Sequence, residues 1–164
     1  MTTTIDDIPI IVRREIEARI AGPLINAYAE AMGREKALEI ASKVILELAE
    51  ESGAALARSC GGNSFDDLSR GTERWSAGDA LERDVIEHSD DRYNYNITRC
   101  GYAEMYKSLG MADLGFVLSC GRDGKMFGGF NREIHFERSQ TIMQGASHCD
   151  FRLSMKKGAD DEGG

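Results

Sequence analysis

The chain has 164 residues, 28 acidic against 20 basic side chains, a formal net charge of −8 and 41% hydrophobic content. That length suits one domain with its own core, and the negative balance argues against nucleic-acid backbones and anionic membranes as partners. No apolar run approaches the ~20 residues of a membrane span, the opening MTTTIDDIP has no signal-peptide pattern, and the widely spaced Cys60, Cys100, Cys120 and Cys149 read as unbridged thiols of a cytoplasmic protein.

Thr4 or Asp6 is expected to cap a first helix over residues 10–32, with Ile8, Val12, Ile16 and Ile20 on its apolar side and a break or kink at Gly22-Pro23. After Gly33 a second helix carries Leu38, Ala41, Val44, Ile45 and Leu48 at helical spacing and stops at Gly61-Gly62. These stripes suit core packing; they would also suit a helix-mediated homodimer. Ser64 opens a short helix followed by loop.

From Leu81 the period changes to two. LERDVIEH, SDD and RYNYNITRC form a hairpin that pairs Glu82 with Arg99, Asp84 with Ile97 and Ile86 with Tyr95, leaving Asn94, Asn96 and Thr98 on the wetter side. Two short helices follow, one through Tyr102, Met105 and Leu109, the next through Leu114, Val117 and Leu118. Gly128-Gly129 then returns the chain to a last pair of strands.

Residues 133–156, EIHFERSQTIMQGASHCDFRLSMK, read as a second hairpin around Gly145. A loop of residues 144–147 pairs Ile142 with Cys149, Gln140 with Phe151, Arg138 with Leu153 and Phe136 with Met155, and on the other side Thr141 with Asp150 and Ser139 with Arg152. The expected fold is α+β: N-terminal helices and an antiparallel sheet of about four strands, built as two hairpins, with helices packed on one face. Residues 1–156 form the domain and 157–164 a flexible tail. No GxGxxG follows a strand, and GRDGKMFGG lacks the Lys-Ser/Thr end of a phosphate-binding loop.

Chemistry-bearing residues concentrate in the C-terminal part. Thiolates attack electron-poor carbons, which makes Cys149 and Cys100 candidate nucleophiles; Asp123 and Asp150 are candidate acid/base groups. Arg138 on an otherwise apolar strand face needs an anion: a substrate carboxylate, or Glu104 or Asp123 in a structural ion pair. Arg99, Arg152 and Thr141 are further candidates for substrate binding. His148 neighbours Cys149 but points to the opposite strand face, and His88 and His135 are expected near hairpin ends. No cofactor is expected; zinc or another divalent ion held by cysteines with an Asp or His from separate elements is the competing arrangement, disfavoured by the lack of a CxxC or HxxxH clamp.

The run RCGYAEMYKSLGMADLG, then Cys120 with Asp123, then FNREIHFERSQTIMQGASHCDFRLSM resembles the L-2-amino-thiazoline-4-carboxylic acid hydrolase family. Arg99-Cys100, Tyr102-Ala103-Glu104, Gly110, Leu114-Gly115, Asp123, Phe136, Arg138, Thr141, Gly145 and Cys149-Asp150-Phe151-Arg152 carry the likeness. It implies a hydrolase acting on a carbon–nitrogen bond of a cyclic amidine or amide: water adds to C2 of a 2-amino-thiazoline carboxylate and a carbamoyl-cysteine results. The partner is then a small-molecule carboxylate. The alternative is a non-catalytic sensor domain that binds a small carboxylate.

Overall fold

Gly33 divides two long helices, α1 (Ile10–Met32) and α2 (Arg34–Cys60), in the computed structural model, which describes residues 4–156. α3 (Phe65–Thr72), β1 (Leu81–His88), β2 (Arg92–Cys100), α4 (Gly101–Ser108), α5 (Ala112–Leu118), α6 (Asp123–Phe130), β3 (Ile134–Glu137) and β4 (Cys149–Met155) follow. The expected tail, residues 157–164, lies outside the described part. The strands form one antiparallel sheet in the order β1-β2-β4-β3, so the two hairpins join through β2 and β4. This is the expected α+β arrangement, and no described helix is long and apolar enough to cross a membrane.

Local chemistry sets most boundaries. α2 stops at Gly61, whose left-handed conformation (φ 72°) closes the last turn at no Cβ cost. Ser64 Oγ accepts the Asp67 amide and Asp67 answers it, so α3 starts with a capping box. Thr4 does not cap α1: it donates to Asp7 in a separate short turn, and α1 begins after Pro9. Nor does Gly22-Pro23 end the helix, which runs on to Met32.

The buried face of α1 is also not the predicted one. Val12, Ile16 and Ile20 are 42%, 52% and 62% exposed, whereas Ala18, Gly22 and Ile25 are buried. Small residues let α1 approach closely, and a Cβ at Gly22 would lie 2.7 Å from Met111 Sδ. Close approach is stronger still between α2 and α6, an element absent from the sequence expectation: a Cβ on Gly53 would collide with the Met126 carbonyl oxygen, and one on Gly129 with the Glu50 carbonyl. Gly128-Gly129 is therefore part of a helix, with Gly129 its packing contact on α2, instead of a returning loop.

Two register corrections decide what faces the helices. In the first hairpin Glu82 pairs with Arg99 as expected, but a bulge between Glu82 and Arg83 then sets Arg83 opposite Ile97 and Val85 opposite Tyr95. An extra residue in one strand exchanges its faces. Arg83 consequently turns inward with buried Tyr95 and Ile97, while Asp84 and Ile86 are exposed.

In the second hairpin Phe136 pairs with Leu153 and Glu137 with Arg152, two residues from the predicted register. The shift is even, so Cys149, Phe151 and Leu153 stay on the buried face. β3 ends at Glu137 because the Asp150 carboxylate accepts the Ser139 and Gln140 amides at 3.0 and 2.9 Å and draws the chain off the ladder. Thr141 then faces a turn at Ile142–Gln144, accepting the Gln144 amide at 3.2 Å, and does not oppose Asp150. Behind the sheet, Tyr95 stacks on Phe151 at 4.8 Å, with Phe127 and Phe136 completing an aromatic cluster.

Candidate functional site

Between α1, α2 and the inner sheet face lies a cavity of about 930 Å³. Its solvent edge carries the half-exposed Ile20, Leu24 and Leu48. Deeper, Cys100, Cys120, Asp123, Arg138 and Cys149 share its wall with Tyr102 and Tyr106. Within a chain of net charge −8 the wall is basic: Arg13, Arg14, Arg74, Arg83, Arg122 and Arg138 outnumber Glu17 and Asp123.

Asp123 opens α6, and Arg138 follows the end of β3. Arg138 Nη1 donates to Asp123 Oδ2 at 2.5 Å, and Nη2 donates to the Cys120 carbonyl at 2.8 Å. The guanidinium, 8% exposed, lies 5.2 Å from the Phe151 ring and 5.5 Å from the Phe136 ring. Of the three anions the sequence offers it, a substrate carboxylate, Glu104 and Asp123, it pairs here with Asp123. Burial nevertheless pushes the Asp123 carboxyl above its ordinary pKa, against the pull of Arg138.

Burial raises the pKa of all three cavity thiols. Cys100 sits at the start of α4, where its Sγ accepts the Ala103 amide at 3.4 Å. Cys149 Sγ accepts the Ile142 amide at 3.2 Å, and this bond and the Arg138 charge oppose the burial. Among the described residues no group of three or more His, Cys, Asp or Glu side chains has metal-binding proximity.

The other sequence candidates lie apart from this wall. Asp150 binds Ser139 and Gln140 in the 138–148 loop; although burial pushes its pKa up, those hydrogen bonds hold it below the ordinary value. Thr141 is buried and spent on its turn. Arg99 pairs with Glu104 at 2.9 Å and donates to the Asp79 carbonyl. Arg152 binds the Tyr95 carbonyl and Asn96 Oδ1. His88 meets Asp66, His135 meets Glu137, and His148 hydrogen-bonds Gln140 and Ser147.

One cavity residue went unread in the sequence. Arg83 Nη1 donates to Tyr93 Oη at 2.8 Å and to Thr72 Oγ1 at 3.3 Å, and the guanidinium lies 4.7 Å from the Tyr95 ring centre. Its Nε and Nη2 are shielded from solvent and have no hydrogen-bond partner. The available signal was local: Arg83 stands between Leu81 and Val85 in the alternation, the same kind of oddity that singled out Arg138.

The fold is similar to the crystal structure of the phenol-responsive sensory domain of the transcription activator PoxR with phenol. The TM-score is 0.53 at 10% identity, over 82% of this chain and 72% of that one. A comparison with curated protein sequences gives no match. A family model described as L-2-amino-thiazoline-4-carboxylic acid hydrolase matches residues 13–153, from the start of α1 to the last buried position of β4. With that span matched, the chain belongs to the L-2-amino-thiazoline-4-carboxylic acid hydrolase family.

Proposed function

We propose that this protein is a hydrolase that opens a cyclic amidine of the 2-amino-thiazoline-4-carboxylate class. The observation that carries the reading is the convergence of Cys149, Asp123 and Arg138 on one wall of a basic cavity within a chain of that family. In this scheme Cys149 Sγ attacks C2 of the ring, and its proton passes through Asp123, whose raised pKa suits it to receive one. The bond from C2 to the ring nitrogen breaks and that nitrogen leaves as an amine carrying the proton. Water then adds to the carbon held on Cys149, the Cys149–carbon bond breaks, and an S-carbamoyl-cysteine and the free thiol of Cys149 result. Cleavage at the ring sulfur instead gives the N-carbamoyl isomer, whose free thiol a thiol reagent detects.

The Ile142 amide and the Arg138 charge favour the thiolate of Cys149 against the burial that raises its pKa. The test is mass-spectrometric detection of a carbamoyl-cysteine from 2-amino-thiazoline-4-carboxylate, with Cys149→Ser alongside. Wild-type turnover and a loss of at least about 100-fold in the folded variant are expected. Undiminished turnover in Cys149→Ser transfers the attack to a water activated by Asp123. The fold likeness to a sensory domain favours a second reading, a non-catalytic small-carboxylate sensor built on the same cavity; carboxylate binding without ring opening selects it.

A further inference from the structure

We infer that Arg83 is the carboxylate anchor of this cavity, the residue that selects ligands bearing a planar oxyanion. The inference rests on the hydrolase reading for its substrate class, but its physical basis is separate. A guanidinium offers two edges for two-pronged recognition, and the Nε/Nη2 edge matches the spacing of a carboxylate's oxygens. In Arg83 that edge is the one without partners, while Nη1 is fixed by Tyr93 and Thr72 hydroxyls and the Tyr95 ring lies beneath.

A half-buried cation with two shielded, unspent donors is costly unless an anion completes it. The carboxylates already on the wall are engaged elsewhere: Glu17 with Arg14 and Asp123 with Arg138. Among the described residues Arg83 forms no ion pair, and its hydrogen bonds go to neutral hydroxyls. Tyr93 and Thr72, both 1% exposed, hold the side chain in place before a ligand arrives. Preorganisation of this kind is what a specificity residue needs. Arg83 lines the cavity, and an entering carboxylate reaches the shielded edge by displacing the cover over it, with Nη1 still held by Tyr93 and Thr72.

Arg138, the arginine that the sequence singles out, has its charge matched by Asp123 and its second nitrogen bound to a carbonyl. Arg83 and Arg138 thus divide the work: Arg83 holds the ligand's charge and Arg138 holds Asp123.

The experiment is calorimetric titration of the full chain, wild type and Arg83→Met, with 2-amino-thiazoline-4-carboxylate, 2-amino-thiazoline without the carboxylate, and the simple carboxylates proline, benzoate and hexanoate. Wild type is expected to prefer the carboxylates over the carboxylate-free ring, and Arg83→Met to lose about 10- to 100-fold in carboxylate affinity while binding the carboxylate-free ring as before. Arg83→Lys keeps the charge without the fork, so it should fold and still lose most of that preference, which guards against a Met variant that fails to fold. Carboxylate preference surviving in Arg83→Lys, or wild type binding none of the four carboxylates, overturns the assignment. Carboxylate binding that depends on Arg83 without ring opening overturns the hydrolase reading and leaves the anchor standing.

Discussion

Arg138→Met removes the cation from a pair that is nearly sealed from water, with side-chain exposures of 8% for Arg138 and 20% for Asp123. The methionine refills most of the space beside Phe136 and Phe151, so the loss is chiefly electrostatic: a carboxylate without its cation and a Cys120 carbonyl without its donor. Stranding one member of a buried pair costs about 3–5 kcal/mol, which in a domain of this size lowers Tm on the order of 10 °C. The cost depends on pH. Burial already raises the Asp123 pKa, and loss of Arg138 raises it further. A carboxyl whose folded-state pKa lies above its unfolded value favours folding below the unfolded value and loses that contribution as pH rises through the folded one. The variant is therefore expected to lose stability, relative to wild type, between acidic and neutral pH. Urea unfolding at several pH values measures this, with Asp123→Asn and the double variant closing a cycle. A deficit that stays constant from pH 4 to pH 8, or a coupling energy near zero, refutes a buried charge pair at this position.

Gly53→Ala is expected to cost about 3 kcal/mol in urea unfolding, because its Cβ would meet the Met126 carbonyl and the Phe130 nitrogen; an unchanged midpoint would mean that α2 and α6 do not touch there. Asp150→Ala should destabilise by about 1–2 kcal/mol, since the Ser139 and Gln140 amides lose their acceptor, with catalysis much less affected than by Cys149→Ser. The Asp150 pKa is lowered on folding, so its wild-type contribution holds above the unfolded value and fades as pH falls through the folded one; melting curves of the two proteins should converge in acid.

Much of this fold is legible in short-range chemistry. The Gly61 stop, the Ser64 cap and the Glu82–Arg99 pairing depend only on residues a few positions apart or across one ladder rung, and each stands as expected. The inward set of β4 survives a register error because that error is even. What escapes the sequence is set by tertiary contact. The bulge after Glu82 has no glycine to announce it, yet it exchanges Asp84 for Arg83 on the inner face. The apolar stripe of α1 is legible as periodicity, but burial goes to Ala18 and Gly22 because close approach of another helix favours small side chains. α6 looks like a loop because its glycines lower helix propensity, whereas one of them, Gly129, is what allows it to dock on α2.

At the candidate site, Arg138 is conspicuous in sequence as a charge among apolar neighbours. Its preference for Asp123 over Glu104 follows from topology, since Glu104 is engaged with Arg99. Cys100 and Cys149 come together because β2 and β4 are adjacent, a pairing that no local pattern encodes.

The backbone contact of α2 with α6 through Gly53 and Gly129 bears on how this scaffold can be re-purposed. The helix that presents Asp123 is located by main chain against main chain, with no intervening side chain to act as an adjustable spacer. Substitutions at Ile20, Leu24, Leu48 or Leu56 can therefore reshape the lumen for larger or smaller ligands while the carboxylate keeps its place. Diversification is best directed at those four positions, with both glycines held fixed in any library.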